Sequence, residues 1–205
     1  MSPRQVDFEL TARRRDALIR AGYAEILEKG LHATTIDSVV ARASSSKGGA
    51  LHYFHTKEDL LYAVLDWLLS ELTRGLDQVA ASQESPRARL SAELELLFHS
   101  TEVNRKLYLV LFDYVTLGAR SDRFRKLFRD FFAKCRKRDA HIIAEGIKLQ
   151  EFRRVRPEDA AATIRALVDG YCLQWLMDSN GVSVETLRDR CGAVLGSYLL
   201  RGREF

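Results

Sequence analysis

The chain contains 205 residues with a mass of 23.4 kDa, and 46% of its residues are hydrophobic, 29% are charged and three are proline. This composition excludes a disordered, collagen-like or disulfide-stapled chain and predicts a globular protein rich in helix. The net charge of +4 is compatible with a polyanionic partner, although many ordinary proteins carry a similar charge.

The sequence contains no run of about 20 apolar residues, so it predicts no membrane-spanning helix and no membrane partner. Residues 1–9 lack the basic and then apolar order of a secretory signal, and we expect them to remain on the mature protein. Three cysteines, an odd number, lack the paired spacing of metal ligands: Cys135, Cys172 and Cys191. We therefore expect a cytoplasmic protein with reduced, buried thiols, no metal site and no cofactor.

The predicted elements are all helices, because no alternating run is long enough for a strand. The first helix runs from Phe8 to Lys29 and is followed by Gly30, a residue that commonly terminates helices. Its apolar face comprises Ala17, Ala21, Ala24 and Leu27. The pattern Thr34-Thr35-Ile36-Asp37 predicts that the Thr34 side chain caps a short second helix.

The third and fourth helices are predicted between Ser45 and about Ala81. Ser45 or Ser46 caps a short third helix that ends near Phe54. Thr56-Lys57-Glu58-Asp59 repeats the capping pattern and opens a long fourth helix that extends to about Ala81. Because short helices are marginally stable alone, the second and third helices must pack on the first.

The fifth, sixth and seventh helices are predicted between Ser85 and about Gln150. Pro86 is suited to the first position of the fifth helix, whose buried face comprises Leu90, Leu94, Leu97 and Phe98. Breaks near Asn104 and Gly118 bound the sixth helix, and the seventh begins at Ser121.

The eighth and ninth helices complete a predicted total of about nine. Pro157 begins the eighth helix, Ser179-Asn180-Gly181 ends it, and Ser183 begins the ninth. Both carry apolar residues at helical spacing, which favours an antiparallel two-helix dimer face. The residues predicted for this face are Ala161, Ile164, Val168, Leu187, Cys191, Val194 and Tyr198.

The second and third helices form a predicted helix-turn-helix that packs on the first helix. The packing residues are Ile36, Val40, Leu51 and Phe54. Two adjacent glycines, Gly48 and Gly49, each cost about 1 kcal/mol relative to alanine in a helix. Glycine lets a backbone approach a phosphate or a base edge closely, so a DNA major groove would account for this cost.

The same segment resembles the TetR family of transcriptional regulators. The resemblance is carried by Thr34-Thr35-Ile36, Ser46-Lys47-Gly48, His52-Tyr53-Phe54 and Thr56-Lys57-Glu58-Asp59-Leu60. It covers residues from about 12 to 72, with the helix-turn-helix motif at about 35–54. It implies an all-α fold with an N-terminal three-helix DNA-binding domain, residues 1–56, and a C-terminal helical ligand-binding and dimerisation domain, residues 57–205.

The resemblance also implies the residues that contact DNA. Lys57 resembles a phosphate anchor, while phosphate contact and packing are both open for Thr34, Thr35 and Tyr53. The groove-facing set is Ser46, Lys47, Gly48, Gly49 and His52. This chain departs from the family at Ser44-Ser45, where Gly-Val is usual, and at Leu51, where an aromatic residue is usual. These departures bear on DNA affinity rather than on the fold.

The function implied by the resemblance is that of a ligand-responsive regulator without catalytic residues. A homodimer, acting as a repressor, would bind a palindromic operator in double-stranded DNA and be released by a small-molecule effector. Aromatic residues on predicted inward faces favour an apolar or aromatic effector, with Asp113 and Gln174 as polar anchors. The full set is Trp67, Phe98, Tyr108, Phe112, Asp113, Phe128, Phe132, Tyr171, Gln174 and Trp175.

Two other functions are open. Ser44-Ser45 and Leu51 are compatible with a helical ligand- or protein-binding module that does not bind DNA. A helical enzyme is disfavoured, because no nucleophile elbow, phosphate loop, dinucleotide fingerprint or metal-binding motif occurs. The basic run between Arg123 and Arg138 is interpreted as a solvated helix face, with an anionic effector or a second DNA contact as the alternative.

Overall fold

A computed structural model describes residues 3–179 and 181–200, with side chains from residue 9 onward. Over this range the chain forms nine helices and no strand, which confirms the predicted all-α class. The helices are α1 (Pro3–Ala33), α2 (Ile36–Arg42), α3 (Lys47–Tyr53), α4 (Lys57–Ala81), α5 (Pro86–Leu97), α6 (Thr101–Arg120), α7 (Asp122–Lys148), α8 (Pro157–Met177) and α9 (Val184–Leu199). The predicted domains begin at residue 1 and end at residue 205, and both of these limits lie outside the described residues. Asn180, which was predicted to help end the eighth helix, also lies outside them.

The chain divides into two compact units. Unit 1 comprises the described residues up to Leu69 together with Val110–Leu127, and unit 2 comprises Ser70–Leu109 and the described residues from Phe128 onward. The chain therefore passes between the units within α4, α6 and α7.

The core of unit 1 is built from α1 and α4, together with α2, α3 and the parts of α6 and α7 that belong to this unit. The buried side chains of α1 and α4 include Leu18, Ile19, Ala21, Ile26, Leu60, Leu61 and Val64. The predicted face of α1 is therefore rotated: Ala21 is buried, but Ala17 is exposed and Ala24 and Leu27 are half-buried. The prediction followed the alanine positions. Leu18 and Ile26 bury more apolar surface than these alanines and therefore set the face of α1 that packs inward.

Helical geometry in α1 breaks at Gly30, as predicted, because Gly30 adopts a left-handed conformation with φ of 77°. Two side chains from other helices bond to the backbone just beyond it. The Asp113 carboxylate of α6 accepts a hydrogen bond from the Leu31 amide at 3.3 Å, and the Lys57 ammonium of α4 donates to the His32 carbonyl at 2.8 Å. These bonds attach the end of α1 to α4 and α6.

A buried carboxylate joins α2 to α1. Glu25 is 2% exposed, and its Oε1 accepts a hydrogen bond from Arg42 Nε at 2.6 Å, while its Oε2 accepts one from Lys29 Nζ at 3.0 Å. The hydrogen bonds from Arg42 and Lys29 lower the pKa of Glu25 from its ordinary value of 4.5 to about 2. The folded protein therefore stabilises the charged form of Glu25.

We expect Glu25→Gln to lower the free energy of unfolding at pH 7 by about 1–2 kcal/mol, because charge-assisted hydrogen bonds are lost. A carboxyl group whose pKa is lowered on folding stabilises the fold above its unfolded pKa, and this stabilisation disappears as the pH falls from about 4.5 towards 2. Urea unfolding measured between those values should therefore show a shallower loss of stability in Glu25→Gln. Equal slopes in the two proteins would contradict this assignment.

Unit 2 has its core between α5, α7, α8 and α9. The predicted face of α5 is confirmed, since Leu90, Leu94, Leu97 and Phe98 are buried. The break predicted near Asn104 occurs earlier, between Leu97 and Thr101, and Asn104 lies inside α6. Its side chain closes the corner by donating to the Leu97 carbonyl at 2.7 Å and accepting from the His99 amide at 3.1 Å. The break predicted near Gly118 falls at Ser121, so Gly118 is also helical.

The apolar stripes of α8 and α9 pack inside the chain. Of the predicted dimer residues, those at most 5% exposed are Ala161, Ile164, Val168, Leu187 and Cys191. They belong to the core of unit 2 and expose little surface to a second chain; internal packing and a dimer face produce the same helical spacing. Val194 is 40% exposed and Tyr198 is half-buried. Two further apolar side chains of α8 are exposed, Leu173 by 46% and Met177 by 72%.

Candidate nucleic-acid interface

The helix-turn-helix begins with a cap on α2. Thr35, and not Thr34 as predicted, is the N-cap: its Oγ1 accepts a hydrogen bond from the Ser38 amide at 3.0 Å, and the Ser38 hydroxyl accepts one from the Thr35 amide at 3.1 Å. Thr34 is fully buried, and its hydroxyl donates to the Gly30 carbonyl at 2.9 Å. The prediction was displaced by one residue because Ser38 completes the reciprocal pair in place of Asp37.

The turn between α2 and α3 contains a strained serine. Ser44 has a φ of 49°, in the left-handed region that costs a residue with a side chain about 1–2 kcal/mol. The turn closes through backbone bonds from the Ser44 amide to the Ala41 carbonyl and from the Ser45 amide to the Val40 carbonyl. Ser44 thus stands at a position that glycine would occupy without strain.

Helix α3 is anchored by few side chains. Ala50 and Phe54 are 2% and 3% exposed, Val39 of α2 is also buried, and the Arg15 guanidinium lies 5.5 Å from the centre of the Phe54 ring. Packing through Phe54 is confirmed. Packing through Leu51 is not, because Leu51 is 36% exposed.

The opposite side of α3 is exposed to solvent. Lys47, Gly48, Leu51 and His52 occupy neighbouring positions on it, and all four are exposed. The ring of His52 lies 5.3 Å from that of half-buried Tyr53. We call Lys47, Gly48, Leu51 and His52 the α3 outer face. It combines a cation, an imidazole, bare backbone and an apolar side chain, a set able to contact phosphates and base edges.

The cation of the α3 outer face has a carboxylate partner in α2. Lys47 Nζ lies 2.8 Å from Asp37 Oδ1, and the two side chains are 62% and 67% exposed. An exposed pair of this kind contributes little to stability, so Lys47 can exchange Asp37 for a phosphate or a base.

The two glycines of α3 differ in their surroundings. A Cβ atom added at Gly49 would lie 3.0 Å from Ser46 Oγ, the atom that caps α3 by accepting from the Gly49 amide at 3.1 Å. A Cβ atom added at Gly48 would meet no described atom within 4 Å. Gly49 therefore accommodates the cap, whereas no contact within the described residues requires Gly48. The predicted cap at Ser45 or Ser46 is at Ser46.

The residues predicted to line an effector pocket are divided between the two units. Trp67, Phe112 and Asp113 belong to unit 1, where the Trp67 ring packs against Tyr23 at 5.5 Å. Asp113 is exposed and accepts from the Leu31 amide, and Gln174 of unit 2 is also exposed, so neither lies on the predicted inward face.

Unit 2 contains the remaining aromatic residues of that set. Phe98, Tyr108 and Trp175 are 1%, 3% and 3% exposed. The Trp175 indole nitrogen is buried and has no hydrogen-bond partner among the described groups. The half-buried members are Phe128, Phe132 and Tyr171, and the first two stack with ring centres 6.1 Å apart.

A buried ionic cluster in unit 2 was missed by sequence reasoning. Arg138 Nε lies 2.6 Å from Glu93 Oε1, and Arg138 Nη2 lies 3.1 Å from Asp139 Oδ1. Burial, with Asp139 nearby, raises the pKa of Glu93 to about 8. Arg138 is only 14% exposed at its side chain, so the prediction of a solvated basic face is wrong at this residue.

A second ion pair, between buried Arg165 and half-buried Asp169, lies within α8 of the same unit. Arg165 Nη2 and Nε lie 2.7 and 3.0 Å from the two oxygens of Asp169. The i,i+4 spacing of Arg165 and Asp169 within an apolar helix was the available sequence signal for this pair.

A helix-turn-helix whose second helix presents such an outer face defines a class of DNA-binding transcriptional regulators. Residues 18–64 match the family model described as "Bacterial regulatory proteins, tetR family", and residues 86–200 match "BetI-type transcriptional repressor, C-terminal". The chain belongs to the TetR family of transcriptional regulators, whose members are not enzymes.

Similar curated proteins agree with this assignment. The HTH-type transcriptional regulator BetI of Burkholderia mallei is 32% identical over 162 residues, which is 78% of this chain and 80% of that protein. BetI of Burkholderia thailandensis is also 32% identical over 162 residues, which is 78% of this chain and 80% of that protein.

Two solved structures share the fold. A TetR regulator from Haloarcula marismortui has a TM-score of 0.84 at 24% identity, with 92% of this chain and 99% of that chain covered. A transcriptional regulator from Saccharomonospora viridis in complex with choline has a TM-score of 0.86 at 20% identity, with 93% and 100% covered. None of the helices in residues 3–179 and 181–200 combines the length and hydropathy needed to span a bilayer.

Proposed function

We propose that the protein is a cytoplasmic repressor that binds a palindromic operator as a homodimer and dissociates from it when a small effector binds. The observation that carries this proposal is the α3 outer face, on which Lys47, Gly48 and His52 are all exposed. In this proposal residues 1–56 serve DNA binding and residues 57–205 serve effector binding and dimerisation.

The proposed DNA contacts follow the exposure of the predicted residues. Thr35, Ser46, Lys47, Gly48 and His52 are exposed and would contact DNA directly. Half-buried Gly49, Tyr53 and Lys57 would contribute at the edge of this surface. Buried Thr34 would act by fixing the start of α2 through its bond to Gly30.

The proposed dimer provides the spacing that a palindrome requires. Two recognition helices must stand about 34–36 Å apart to read successive major grooves. The exposed apolar side chains Leu173, Met177 and Val194 supply a surface on α8 and α9 that a second copy would cover. The predicted members Val194 and Tyr198 remain part of this surface.

The proposed effector site lies among the aromatic residues of unit 2. Phe98, Tyr108 and Trp175 favour an apolar or aromatic effector, and the unpartnered Trp175 indole nitrogen favours one that carries a hydrogen-bond acceptor. A small organic cation is a second candidate, supported by the aromatic rings of Phe98, Tyr108 and Trp175, whose faces attract cations, and by the choline complex of the Saccharomonospora viridis regulator.

The two effector classes are separated by one comparison. Choline and its uncharged isostere, in which carbon replaces nitrogen, would be titrated against the protein bound to its operator. Release by choline alone indicates a cation site, release by both indicates an apolar site, and release by neither excludes both compounds as effectors.

Selection of binders from a random duplex DNA pool tests the regulator function. We expect an enriched palindrome with half-sites about one helical turn apart. Lys47→Ala should bind this operator about tenfold more weakly, and its slope of log affinity against log salt should be less steep by about 2 for the dimer. Lys148→Ala, which removes an exposed lysine at the end of α7, serves as the control and should bind normally.

The alternative function predicts a different result from the same selection. If folded, dimeric protein enriches no sequence, the chain is a ligand- or protein-binding module, and Ser44, Ser45 and Leu51 become the suspected cause. If a palindrome is enriched but Lys47→Ala binds it normally, α3 is not the recognition helix.

A further inference from the structure

Leu51 is an apolar residue in the middle of the α3 outer face. It is 36% exposed, and it follows Lys47 by four positions, so the two side chains are neighbours on the helix surface. Its neighbour Ala50 supplies the buried contact at this point of the helix. Leu51 therefore presents part of its apolar side chain to solvent on the α3 outer face, where a partner of α3 can reach it.

Gly48 leaves open space beside Leu51. It precedes Leu51 by three positions, and a Cβ atom added there would meet no described atom within 4 Å. The α3 outer face thus has bare backbone next to an apolar side chain. A base edge that approaches the backbone at Gly48 would bring its neighbouring groups against Leu51.

We propose that Leu51 contacts the 5-methyl group of a thymine in the major groove and thereby specifies that base in each half-site. The thymine methyl is the apolar group that base pairs display in the major groove, and aliphatic side chains recognise it. Leucine has no hydroxyl with which to bind a phosphate. This inference rests on the proposed binding of DNA through α3.

Replacement of each thymine of the selected operator by deoxyuridine, one symmetric pair at a time, tests the proposal. At one pair the wild-type protein should lose about fourfold in affinity per half-site, the value of about one buried methyl group, and about fifteenfold for the dimer. Leu51→Ala should bind the thymine and deoxyuridine operators equally at that pair. Leu51→Met should retain the preference, because it keeps an apolar side chain of similar volume.

The outcomes separate this inference from the proposed function. A deoxyuridine effect of the same size in wild type and Leu51→Ala, or no effect at any thymine, overturns the role of Leu51 while leaving DNA binding intact. Failure to select any operator overturns the proposed function and this inference with it. Circular dichroism of both variants establishes that the protein remains folded.

Discussion

Leu173→Glu and Val194→Glu are each expected to convert the protein into a monomer and to weaken operator binding by about a hundredfold or more. Both side chains are exposed in the single chain, by 46% and 40%, and a carboxylate in their place would lose its hydration in an apolar interface. A monomer binds one half-site at a time and so loses the gain that comes from linking two sites. Sedimentation velocity and operator titration measure the two effects.

Leu149→Glu provides the matched control for the dimer prediction. Leu149 is 55% exposed and follows the end of α7, so the same charge is introduced at an apolar surface residue outside α8 and α9. This variant should remain dimeric and bind DNA normally. If Leu173→Glu and Val194→Glu also remain dimeric at micromolar concentration, the two chains associate through another surface.

The elements that the sequence placed correctly have strong local signals. Ser46, Thr56, Ser85 and Ser183 stand immediately before the helices that were predicted to follow them, because a hydroxyl at that position satisfies an unpaired amide. Pro86 and Pro157 mark helix starts for a similar reason, since proline has no amide to leave unpaired. Gly30 ends the regular part of α1 because it reaches the left-handed region without strain.

The errors arose where a side chain bonds to backbone outside its own helix or where packing depends on the tertiary structure. Asn104 looked like a helix break, yet it lies within a helix and closes the preceding corner with its side chain. Asp113 looked like a pocket residue, but it bonds to Leu31, which is 82 positions away in sequence. Periodicity could not decide whether Val168 or Cys191 faces the core or another chain, because both environments select the same apolar spacing.

The α3 outer face combines residues that were predicted with one that was not. Lys47, Gly48 and His52 followed from the family resemblance, since that motif carries them at fixed spacing. Leu51 was assigned to packing, and its exposure depends on the rotation of α3 on α1 and α2, which Ala50 and Phe54 set. That rotation is a tertiary property and has no local sequence signal.

Gly48→Ala is expected to make the protein more stable and a weaker DNA binder. Alanine is favoured over glycine in a helix by about 1 kcal/mol, and the added methyl group would meet no described atom of the chain within 4 Å. In the complex with DNA, the same methyl group would lie between the α3 backbone and the base edges. Overpacking of one methyl group costs about 1–3 kcal/mol, so affinity should fall about tenfold per half-site and about a hundredfold for the dimer.

Gly49→Ala is the matched control for the gain in stability, because it adds the same methyl group one residue further along the same helix. Its Cβ would lie 3.0 Å from Ser46 Oγ and would disturb a cap that is worth about 1 kcal/mol, which offsets the gain in helix propensity. Thermal unfolding should therefore show a gain for Gly48→Ala alone. A more stable Gly48→Ala protein with unchanged operator affinity would mean that DNA does not approach the backbone at Gly48. The cost of that glycine to α3 would then have no explanation in DNA recognition.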